Sequence, residues 1–341
     1  MRVLVTGATG FVGGNLAREL RRRGYDVSAL VRPGSNTLTI DGTGVEQVPG
    51  DILDRDSVDR ALQGCEVVFH CAAAYTFWAP DPDLVYQTNV GGTANVLEAA
   101  RQAGVSRVIY TSTVSTVGLA AGELGTENTP LDPSHLVGHY KKSKYRAECL
   151  ALTMASEGLP VVVVNPTTPV GPWDVKPTPT GRMVLDFLRG RIPVYLETGM
   201  NLVDVADVAA GHILAMERGE PGQRYLLGNR NVTLREVFAM LQEATGRRAP
   251  RWRAPYWLAL GAGYLDQLVE GRVLGREPRI PLEGLKVART PMYVSCQKAV
   301  SELGQPQSPV EAALERSVRW FVDHGYTRTK ETIGTGGRNR R

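Results

Sequence analysis

The chain has 341 residues, of which 43% are apolar and 22% are charged, and this composition is that of a globular body and excludes disorder for most of its length. The formal net charge is +4, and residues 327–341 alone contain five basic residues and one acidic residue. The body is therefore balanced in charge, and we expect no face that binds nucleic acid. We interpret residues 327–341 as a disordered basic tail.

The N-terminal residues predict a strand and not a signal peptide, because one positive charge is followed by a short apolar run that ends at Gly7. No apolar run approaches the roughly 18 residues that cross a bilayer. We therefore expect a cytoplasmic protein without stable membrane insertion. The cysteines lack C-x-x-C spacing and lie in apolar segments, which favours buried free thiols over disulfides or a metal site. They are Cys65, Cys71, Cys149 and Cys296.

Strands alternate with helices through the first half of the chain. The predicted strands are residues 2–6, 26–31, 45–48, 66–71, 107–111 and 161–164, and the predicted helices are residues 11–23, 57–62, 84–103 and 140–156. This order predicts the α/β class, with a Rossmann-type doubly wound parallel sheet. In such sheets ligands bind at the carboxyl ends of the strands.

Beyond Pro166 the pattern changes to a proline-rich loop, a helix near residues 183–189, a helix over 204–218 and a strand over 225–227. We predict a nucleotide-binding domain of residues 1–170, to which 201–228 return. Residues 171–200 and 229–326 would form a smaller, mostly C-terminal substrate-binding domain.

The apolar stretch from Tyr256 to Val269 fits either a packing helix of the smaller domain or an interfacial membrane helix. Its charged residues are Asp266 and Glu270, whereas helices on membrane surfaces usually carry Lys or Arg. We therefore favour the packing helix.

A glycine-rich segment between the first strand and the first helix is the strongest functional signal. Residues 6–13, TGATGFVG, have the spacing G-x-x-G-x-x-G. Glycine allows a tight turn and lets a pyrophosphate approach the amides of a helix N-terminus. The expected cofactor contacts in this segment are Gly7, Thr9, Gly10, Phe11, Val12 and Gly13.

The choice of cofactor is expected at the end of the second strand, where an acidic residue would bind the ribose hydroxyls of NAD. Here the residue is Arg32, followed by Ser35. A guanidinium group suits a 2′-phosphate, so we predict that NADP(H) is favoured over NAD(H). The alternative is a solvated surface arginine.

Tyr140 and Lys144 are four residues apart on a predicted helix and so share a face. A neighbouring ammonium favours the phenolate and lowers the pKa of a tyrosine towards the neutral range. Such pairs are common by chance, but a hydroxyl-rich strand end, YTSTVST at residues 110–116, precedes this one. Hydroxyl, tyrosine and lysine together can hold a substrate oxygen beside a nicotinamide and move its proton.

Further motifs follow in a fixed order: Asp51 after the third strand, HCAA at residues 70–73, NVGGT at 89–93, YKKSK at 140–144, NPTTPVGP at 165–172 and LVDVADVA at 202–209. With them the body resembles the extended short-chain dehydrogenase/reductase family. Within that family the chain is most similar to the hopanoid-associated sugar epimerases and the dihydroflavonol 4-reductase-like proteins. The stretches AYTFWAPDPD, GHYKKSK and KPTPTGR carry this closer resemblance.

The resemblance implies that Tyr140 is the acid/base, that Lys144 lowers its pKa and bonds the nicotinamide ribose, and that Asn89 supports the site. Thr113 stands where the family usually has its active-site serine, with Ser112 as the alternative. The remaining implied cofactor contacts are Asp51 at the adenine amine, Pro166 beside the nicotinamide, and Ile52, Ala72 and Ala73.

Three functions remain open. In the first, NADPH reduces a carbonyl while Tyr140 donates the proton, and Arg32 favours this reaction. In the second, an epimerase oxidises and re-reduces a sugar with retained cofactor. The third is a non-catalytic dinucleotide sensor, against which the joint presence of Thr113, Tyr140 and Lys144 argues. Dehydration is not expected, because residues 114–115 are Val-Ser where sugar-nucleotide dehydratases of the family place Asp-Glu.

The substrate is the least determined property. Aromatic residues in segments expected to flank the pocket would supply its walls, although each fits a core position equally well. The candidate substrate contacts are Tyr75, Phe77, Trp78, Thr113, Tyr140 and Tyr195. The resemblance suggests a small-molecule or lipid-linked sugar or polyol, carried on a hopanoid. It also implies a homodimer formed through the helices that contain residues 90–99 and 140–155.

Overall fold

A seven-stranded parallel sheet forms the centre of the fold. The structure is a computed structural model that describes residues 1–76, 78, 81–119, 122–276, 278 and 280–327. Phe77 and residues 328–341, which make up nearly all of the predicted tail, lie outside the described residues. In the described part of the chain the strands are β1 (Arg2–Thr6), β2 (Asp26–Val31), β3 (Glu46–Pro49), β4 (Val67–His70), β5 (Arg107–Thr111), β6 (Val161–Pro166), β7 (Thr168–Val170), β8 (Val194–Tyr195), β9 (Gly199–Asp204), β10 (Arg224–Leu227), β11 (Arg230–Thr233) and β12 (Trp252–Arg253).

Helices cover both faces of this sheet, so the predicted α/β class is confirmed. The α-helices of the described residues are α1 (Phe11–Arg22), α2 (Arg55–Ala61), α3 (Pro82–Tyr86), α4 (Gly92–Ala103), α5 (His139–Ser156), α6 (Pro179–Leu188), α7 (Val205–Arg218), α8 (Leu234–Thr245), α9 (Tyr256–Asp266), α10 (Leu282–Val287) and α11 (Val310–Asp323). Val3 and Val5 of β1 pack in one core with Leu16 of α1, whereas Leu4 between them packs in a second core with Leu97 of α4. This alternation places β1 inside a three-layer sandwich.

The strands lie in the order β10-β6-β5-β4-β1-β2-β3. Successive strands are therefore added on one side of β1 up to β3 and on its other side from β4 onwards, although all of them run in parallel. Thr6 at the carboxyl end of β1 pairs with Leu30 of β2 on one side and with His70 of β4 on the other. In doubly wound sheets the crevice at such a change of side binds the ligand. The glycine segment begins directly after Thr6 and therefore lies at this crevice.

The C-terminal part of the chain contributes to the central sheet and also forms a separate sheet with its own helices. The predicted helix over 204–218 and strand over 225–227 are observed as α7 and β10, and β10 lies beside β6 at the edge of the central sheet. In contrast, β9 joins β7 and β11 in a separate three-stranded sheet. Helices α6, α8 and α11 enclose a core of their own, which includes Phe187, Phe238 and Phe321.

The helix predicted over residues 84–103 is interrupted. It consists of α3, a π-helical turn at Gln87–Gly91, and α4. Such π turns within a helix often occur at functional sites. Here the turn contains Asn89, which is 1% exposed.

The apolar stretch that we expected to pack within the smaller domain does so along one narrow edge only. Helix α9 continues as a π-helical turn at Gln267–Val273, and Gly263 is the one buried residue of α9. A Cβ on Gly263 would lie 2.6 Å from Leu285 of α10, so the close contact runs along this glycine. The predicted packing helix thus contacts α10 through one side, and its other side is exposed. The residues that we name the apolar face are exposed, and they are Trp252, Trp257, Leu258, Tyr264, Leu265, Leu268, Val269, Val273, Leu274 and Ile280.

The four cysteines are free thiols, but they are not all buried. Cys65 and Cys296 are buried, Cys71 is partly exposed, and Cys149 lies exposed on α5. The prediction of a buried thiol was therefore wrong for Cys149. Among the described residues, no helix combines the length and the hydropathy that a membrane span requires.

Candidate active site

The glycine segment forms a cradle in which side chains would collide with the backbone. Gly7 has φ +75°, and a Cβ there would lie 2.7 Å from the amide nitrogen of Ala72. A Cβ on Gly13 would lie 2.3 Å from the carbonyl oxygen of Gly7. Helix α1 begins at Phe11, and the N-cap residue Gly10 brings no side chain to the first amides. This cradle fits the pyrophosphate of a dinucleotide, whose charge the helix N-terminus stabilises.

Buried hydrogen bonds fix the ends of β1 and β4 beside this cradle. The imidazole of His70 bonds the Thr6 hydroxyl at 2.7 Å and the Thr93 hydroxyl at 2.9 Å. Burial lowers the pKa of His70 to about 3, so the ring is neutral and serves as a structural link. The Thr6 hydroxyl also accepts a hydrogen bond from the Ala72 amide at 3.3 Å. Ala72 and Ala73 are thereby held next to Gly7.

Asn89 clamps the segment that follows β4. Its side-chain amide donates to the Ala74 carbonyl and to the Ser143 hydroxyl, and its oxygen accepts from the Ala74 amide at 2.7 Å. Since Ser143 lies on α5, Asn89 connects that helix to the loop that precedes Tyr75. This geometry suits the supporting role that the sequence predicts for Asn89.

Tyr140, near the start of α5, is the centre of the polar residues at the sheet edge. Its ring centroid lies 4.7 Å from that of Tyr75. Burial raises the pKa of Tyr140 to about 12, and a hydrogen bond with the Thr113 side chain opposes this rise. Tyr140 is therefore a protonated acid at neutral pH.

Lys144 does not lower the pKa of Tyr140 in the way the sequence suggested. Its ammonium donates instead to the backbone carbonyl of Thr111 at 2.6 Å and lies 4.5 Å from the ring centroid of Tyr110. Burial lowers the pKa of Lys144 to about 8, although Glu148 one turn further along α5 opposes this shift. The pKa of Tyr140 is therefore raised mainly by its own burial, because the Lys144 ammonium is directed to another partner.

The structure distinguishes the two candidate hydroxyls. Thr113 follows β5 by two residues, and its hydroxyl accepts a hydrogen bond from the Ser115 amide at 3.3 Å while its side chain interacts with Tyr140. Ser112 Oγ is buried and makes no hydrogen bond with a described residue. The geometry favours Thr113 as the hydroxyl next to Tyr140.

A buried polar network behind Thr113 was missed in the sequence. The Asn165 side-chain amide donates to the Thr113 carbonyl at 3.1 Å and to the Glu148 carboxylate at 2.7 Å. Glu148 also accepts from Thr116 at 2.7 Å and pairs with Arg224 at 2.9 Å. The spacing of Tyr140, Lys144 and Glu148 on one helical face was the available signal, since each follows the last by four residues.

A second missed residue is Asp174, which is 2% exposed. Its carboxylate accepts hydrogen bonds from the Thr178 amide and hydroxyl at the start of α6. Burial raises the pKa of Asp174 to about 6. The pKa of Tyr75 is raised mainly by desolvation and in smaller part by the charge of Asp174. Asp174 follows Trp173, which has φ +70°. No motif in the sequence distinguished this carboxyl group.

The predicted determinants of cofactor choice lie beyond β2, on the other side of β1 from Tyr140. Residues 32–35 form a turn closed by a hydrogen bond from the Ser35 amide to the Arg32 carbonyl at 3.1 Å, with Gly34 at φ +79°. Arg32 is exposed, and its side chain makes no hydrogen bond or ion pair with a described residue.

The other predicted cofactor contacts are placed at the same sheet edge. Asp51 follows β3, and its side chain accepts from the Leu53 amide at 2.9 Å. Ile52 is buried under α4, where a Cβ on Gly92 would lie 2.4 Å from it. Pro166 is buried at the carboxyl end of β6.

Only some of the expected substrate contacts come together. Tyr75 packs on Tyr140, Trp78 follows in the same loop and is hydrogen-bonded to Thr76, and Phe77 lies outside the described residues. Tyr195 packs instead against Phe238, with ring centroids 6.3 Å apart, in the core enclosed by α6, α8 and α11. Its aromatic ring serves that core, and among the described residues no ring contact joins it to Tyr140.

Three features of this site are typical of dinucleotide-dependent oxidoreductases. They are the Rossmann-type sheet, the glycine cradle at its crevice, and a helix that carries Tyr140 and Lys144 beside a strand end with hydroxyl side chains. The model of the NAD dependent epimerase/dehydratase family matches residues 3–228. The chain is 45% identical over 331 residues to a putative dihydroflavonol 4-reductase of Synechocystis, covering 96% of each protein. It is 35% identical over 326 residues to sterol demethylase protein B of Methylococcus capsulatus, covering 95% of this chain and 99% of that protein.

Among solved structures, the protein gox2253 superposes with a TM-score of 0.85 at 42% identity, covering 96% of this chain and 99% of that one. The chain belongs to the NAD-dependent epimerase/dehydratase family, within the extended short-chain dehydrogenases/reductases. It is thus an enzyme that uses a nicotinamide dinucleotide.

Proposed function

We propose that the protein is an NAD(P)(H)-dependent oxidoreductase that acts at a carbonyl or secondary alcohol, with Tyr140 as the acid/base. The observation that carries this proposal is the convergence of Thr113, Tyr140 and Lys144 at the carboxyl ends of the central strands, close to the glycine cradle. A bound dinucleotide would supply or accept the hydride.

In the direction of reduction, the residues of this chain handle the substrate oxygen and its proton. The Thr113 hydroxyl would hold the carbonyl oxygen, and the Tyr140 hydroxyl would donate the proton that converts it to an alcohol. Tyr140 is protonated at neutral pH, as a proton donor must be. Lys144 holds the Thr111 carbonyl and keeps a positive charge close to the site. Asn89 and Asn165 would act as positioning residues.

The cofactor would lie across the end of β1. Gly7, Thr9, Gly10, Phe11, Val12 and Gly13 would surround the pyrophosphate, and Asp51, Ile52, Ala72, Ala73 and Pro166 would contact the rest of the dinucleotide. The exposed guanidinium of Arg32, with Ser35, would bind a 2′-phosphate. We infer from this that NADP(H) is favoured over NAD(H).

For the substrate we infer a sugar- or polyol-like head on an apolar body, such as a hopanoid-linked compound. Tyr75 and Trp78 would form the aromatic wall beside Tyr140. The similarity to a relative named for a sterol supports a polycyclic apolar body. A thermal-shift comparison of hopanoid-linked sugars with nucleotide sugars, run with NADP(H) bound, tests this inference. A larger stabilisation by nucleotide sugars would contradict it.

Epimerisation with retained cofactor is the second candidate, favoured by the name of the matching family. Purified protein separates the candidates. Stoichiometric loss of NADPH with substrate indicates a reductase, and isomerised substrate without net loss indicates an epimerase. Binding without either change would contradict both and leave a dinucleotide sensor.

We also infer a cytoplasmic homodimer joined through α4 and α5. The exposed thiol of Cys149 on α5 offers a direct test. A bifunctional maleimide should join two copies through Cys149, and Cys149→Ser should abolish that product. A monomer in light scattering would contradict the dimer.

A further inference from the structure

The apolar face is the largest group of exposed apolar side chains in the described part of the chain. Trp257 is 70% exposed, Leu265 is 64% exposed and Val273 is 73% exposed. Exposed apolar side chains concentrated on one segment mark a site of interaction, because leaving them in water is unfavourable.

The helix that carries this face has its exposed apolar residues on one side and its acidic residues on the other. Trp257, Leu258, Tyr264, Leu265 and Leu268 are all exposed and recur at helical spacing, so they share the outer side. The opposite side carries the buried Gly263 and the two acidic residues. Asp266 there accepts a hydrogen bond from the Ile280 amide at 2.7 Å, and Glu270 is half-buried. The outer side therefore presents no carboxylate.

The segment that carries the apolar face has an excess of basic residues. Residues 247–289 contain nine basic and four acidic residues, a net charge of +5, although the whole chain carries only +4. Several of these basic residues are exposed, and their side chains make no hydrogen bond or ion pair with a described residue, namely Arg248, Arg251, Arg272, Arg276 and Arg289. Residues 247–289 are therefore a cationic segment, although the body of the chain as a whole is balanced in charge.

We propose that the apolar face docks the protein peripherally on an anionic lipid bilayer. Trp and Tyr side chains suit the level of the lipid headgroups, Leu and Val suit the acyl boundary, and unpaired arginines suit anionic headgroups. A second copy of this chain fits less well, because it would place two segments of charge +5 against each other.

The apolar face adjoins the candidate active site. A Cβ on Gly271, in the π-helical turn after α9, would lie 3.6 Å from the indole nitrogen of Trp78. Likewise, a Cβ on Gly138, two residues before Tyr140, would collide with the carboxylate of Glu283 at the start of α10. Docking therefore places the loop of Trp78 and the start of α5 near the bilayer, where an apolar substrate could enter without crossing water. That consequence rests on the proposed function.

Co-sedimentation of the full chain with vesicles tests the docking. Vesicles of phosphatidylcholine mixed with phosphatidylglycerol should bind the protein, and vesicles of phosphatidylcholine alone should bind it more weakly. The double variant Leu265→Ser/Leu268→Ser should bind the mixed vesicles about 10-fold or more weakly, because it removes apolar contact. The matched variant Leu84→Ser/Leu124→Ser, at exposed leucines outside the apolar face, should stay within about 2-fold of the wild type.

The charge component is tested separately. Arg272→Gln/Arg276→Gln should weaken binding to the mixed vesicles roughly 10- to 30-fold at low salt, since each basic residue near an anionic surface contributes about 1 kcal/mol. The control Arg235→Gln/Arg319→Gln removes exposed arginines of α8 and α11 and should have little effect. Added salt should reduce the difference between the two variants.

The outcomes are distinct. Failure of the wild type to bind mixed vesicles, or equal losses in the surface and control variants, would overturn the proposal. If the leucine variant of the apolar face changes the mass in light scattering while vesicle binding is unchanged, the face is a protein interface and the proposal is wrong. Binding of NADP(H) and the unfolding temperature, measured in every variant, show that the fold persists. Since vesicle binding does not involve the reaction, its failure leaves the proposed oxidoreductase standing, and the reverse also holds.

Discussion

The crevice at the end of β1 and the segment that carries the apolar face use the same residue types in opposite ways. At the crevice, a Cβ on Gly13 would lie 2.3 Å from the Gly7 carbonyl, whereas a Cβ on Gly261 of α9 would meet nothing within 4 Å. Leu4 is fully buried in the sheet, whereas Leu265 is 64% exposed. Tight packing thus surrounds the candidate active site, whereas the open segment exposes side chains that we propose contact a lipid bilayer.

Tyr140→Phe should change activity more than any other substitution, because we propose Tyr140 as the acid/base of the tightly packed region. Tyr140→Phe keeps the ring but removes the hydroxyl group that would donate the proton. The rate of substrate reduction should therefore fall by about 10²- to 10⁴-fold, while NADP(H) binding persists. Steady-state kinetics and a cofactor titration measure both quantities. Tyr75→Phe is the matched control, because it keeps the stacked ring, and its rate should change only a few-fold. A Tyr140→Phe enzyme with normal kcat would refute the assignment.

Arg32 tests the contrast between the two regions, because it is an exposed residue in the tightly packed one. If it binds a 2′-phosphate, Arg32→Ala should lower the NADP/NAD ratio of kcat/KM about 10- to 150-fold, which corresponds to a charged hydrogen bond of roughly 1.5–3 kcal/mol. The ratio of kcat/KM for the two cofactors is the measurement. Arg235→Ala, at an exposed arginine of α8, should leave that ratio unchanged. An unaltered ratio in Arg32→Ala would mean that Arg32 is a solvated surface residue.

The glycine cradle allows a direct test of tight packing. Gly13→Ala should weaken NADP(H) binding roughly 10- to 100-fold and destabilise the fold by about 1–3 kcal/mol, because the added methyl group meets the Gly7 carbonyl. Isothermal titration and urea unfolding measure the two effects. Normal cofactor affinity in a folded Gly13→Ala protein would show that the glycine cradle does not bind the cofactor.

Lys144 connects the buried site to pH. Its pKa is lowered from 10.5 to about 8, so between these values the unfolded chain holds more protons than the folded protein. The free energy of unfolding should therefore rise with pH across this window through Lys144. Lys144→Met should lack this component, and Lys142→Met, at an exposed lysine of the same helix, should retain it. Urea unfolding at several pH values decides, and parallel pH profiles for the wild type and Lys144→Met would contradict the burial of this charge.

The smallest effect is expected in the open segment. Gly261→Ala should stabilise the protein by about 0.5–1 kcal/mol, because alanine favours the helix and the added methyl group has free space. Thermal unfolding measures this change. A destabilisation would mean that this side of α9 is packed, and the contrast between the two regions would fail.

Much of the fold could be predicted from the sequence because its signals are local. The strand over residues 2–6, the glycine turn and the helix from residue 11 follow from β-branched runs, glycine positions and helical spacing. Tyr140 and Lys144 could be paired for the same reason, since four residues on one helix fix a common face. The choice between Ser112 and Thr113 stayed open in the sequence, because both are hydroxyls at one strand end and only their neighbours in space differ.

The sequence was enough to identify the class of enzyme, the glycine segment that forms the cradle and the candidate acid/base Tyr140, because each depends on residues close together along the chain. The folded structure was needed to show that Lys144 bonds the Thr111 carbonyl, that Asn165 bonds both the Thr113 carbonyl and Glu148, and that Tyr195 packs in a separate core. The fold also leaves one side of the apolar stretch around α9 exposed. Burial and charge partners arise from contacts between distant segments, and a pattern along one segment does not specify them.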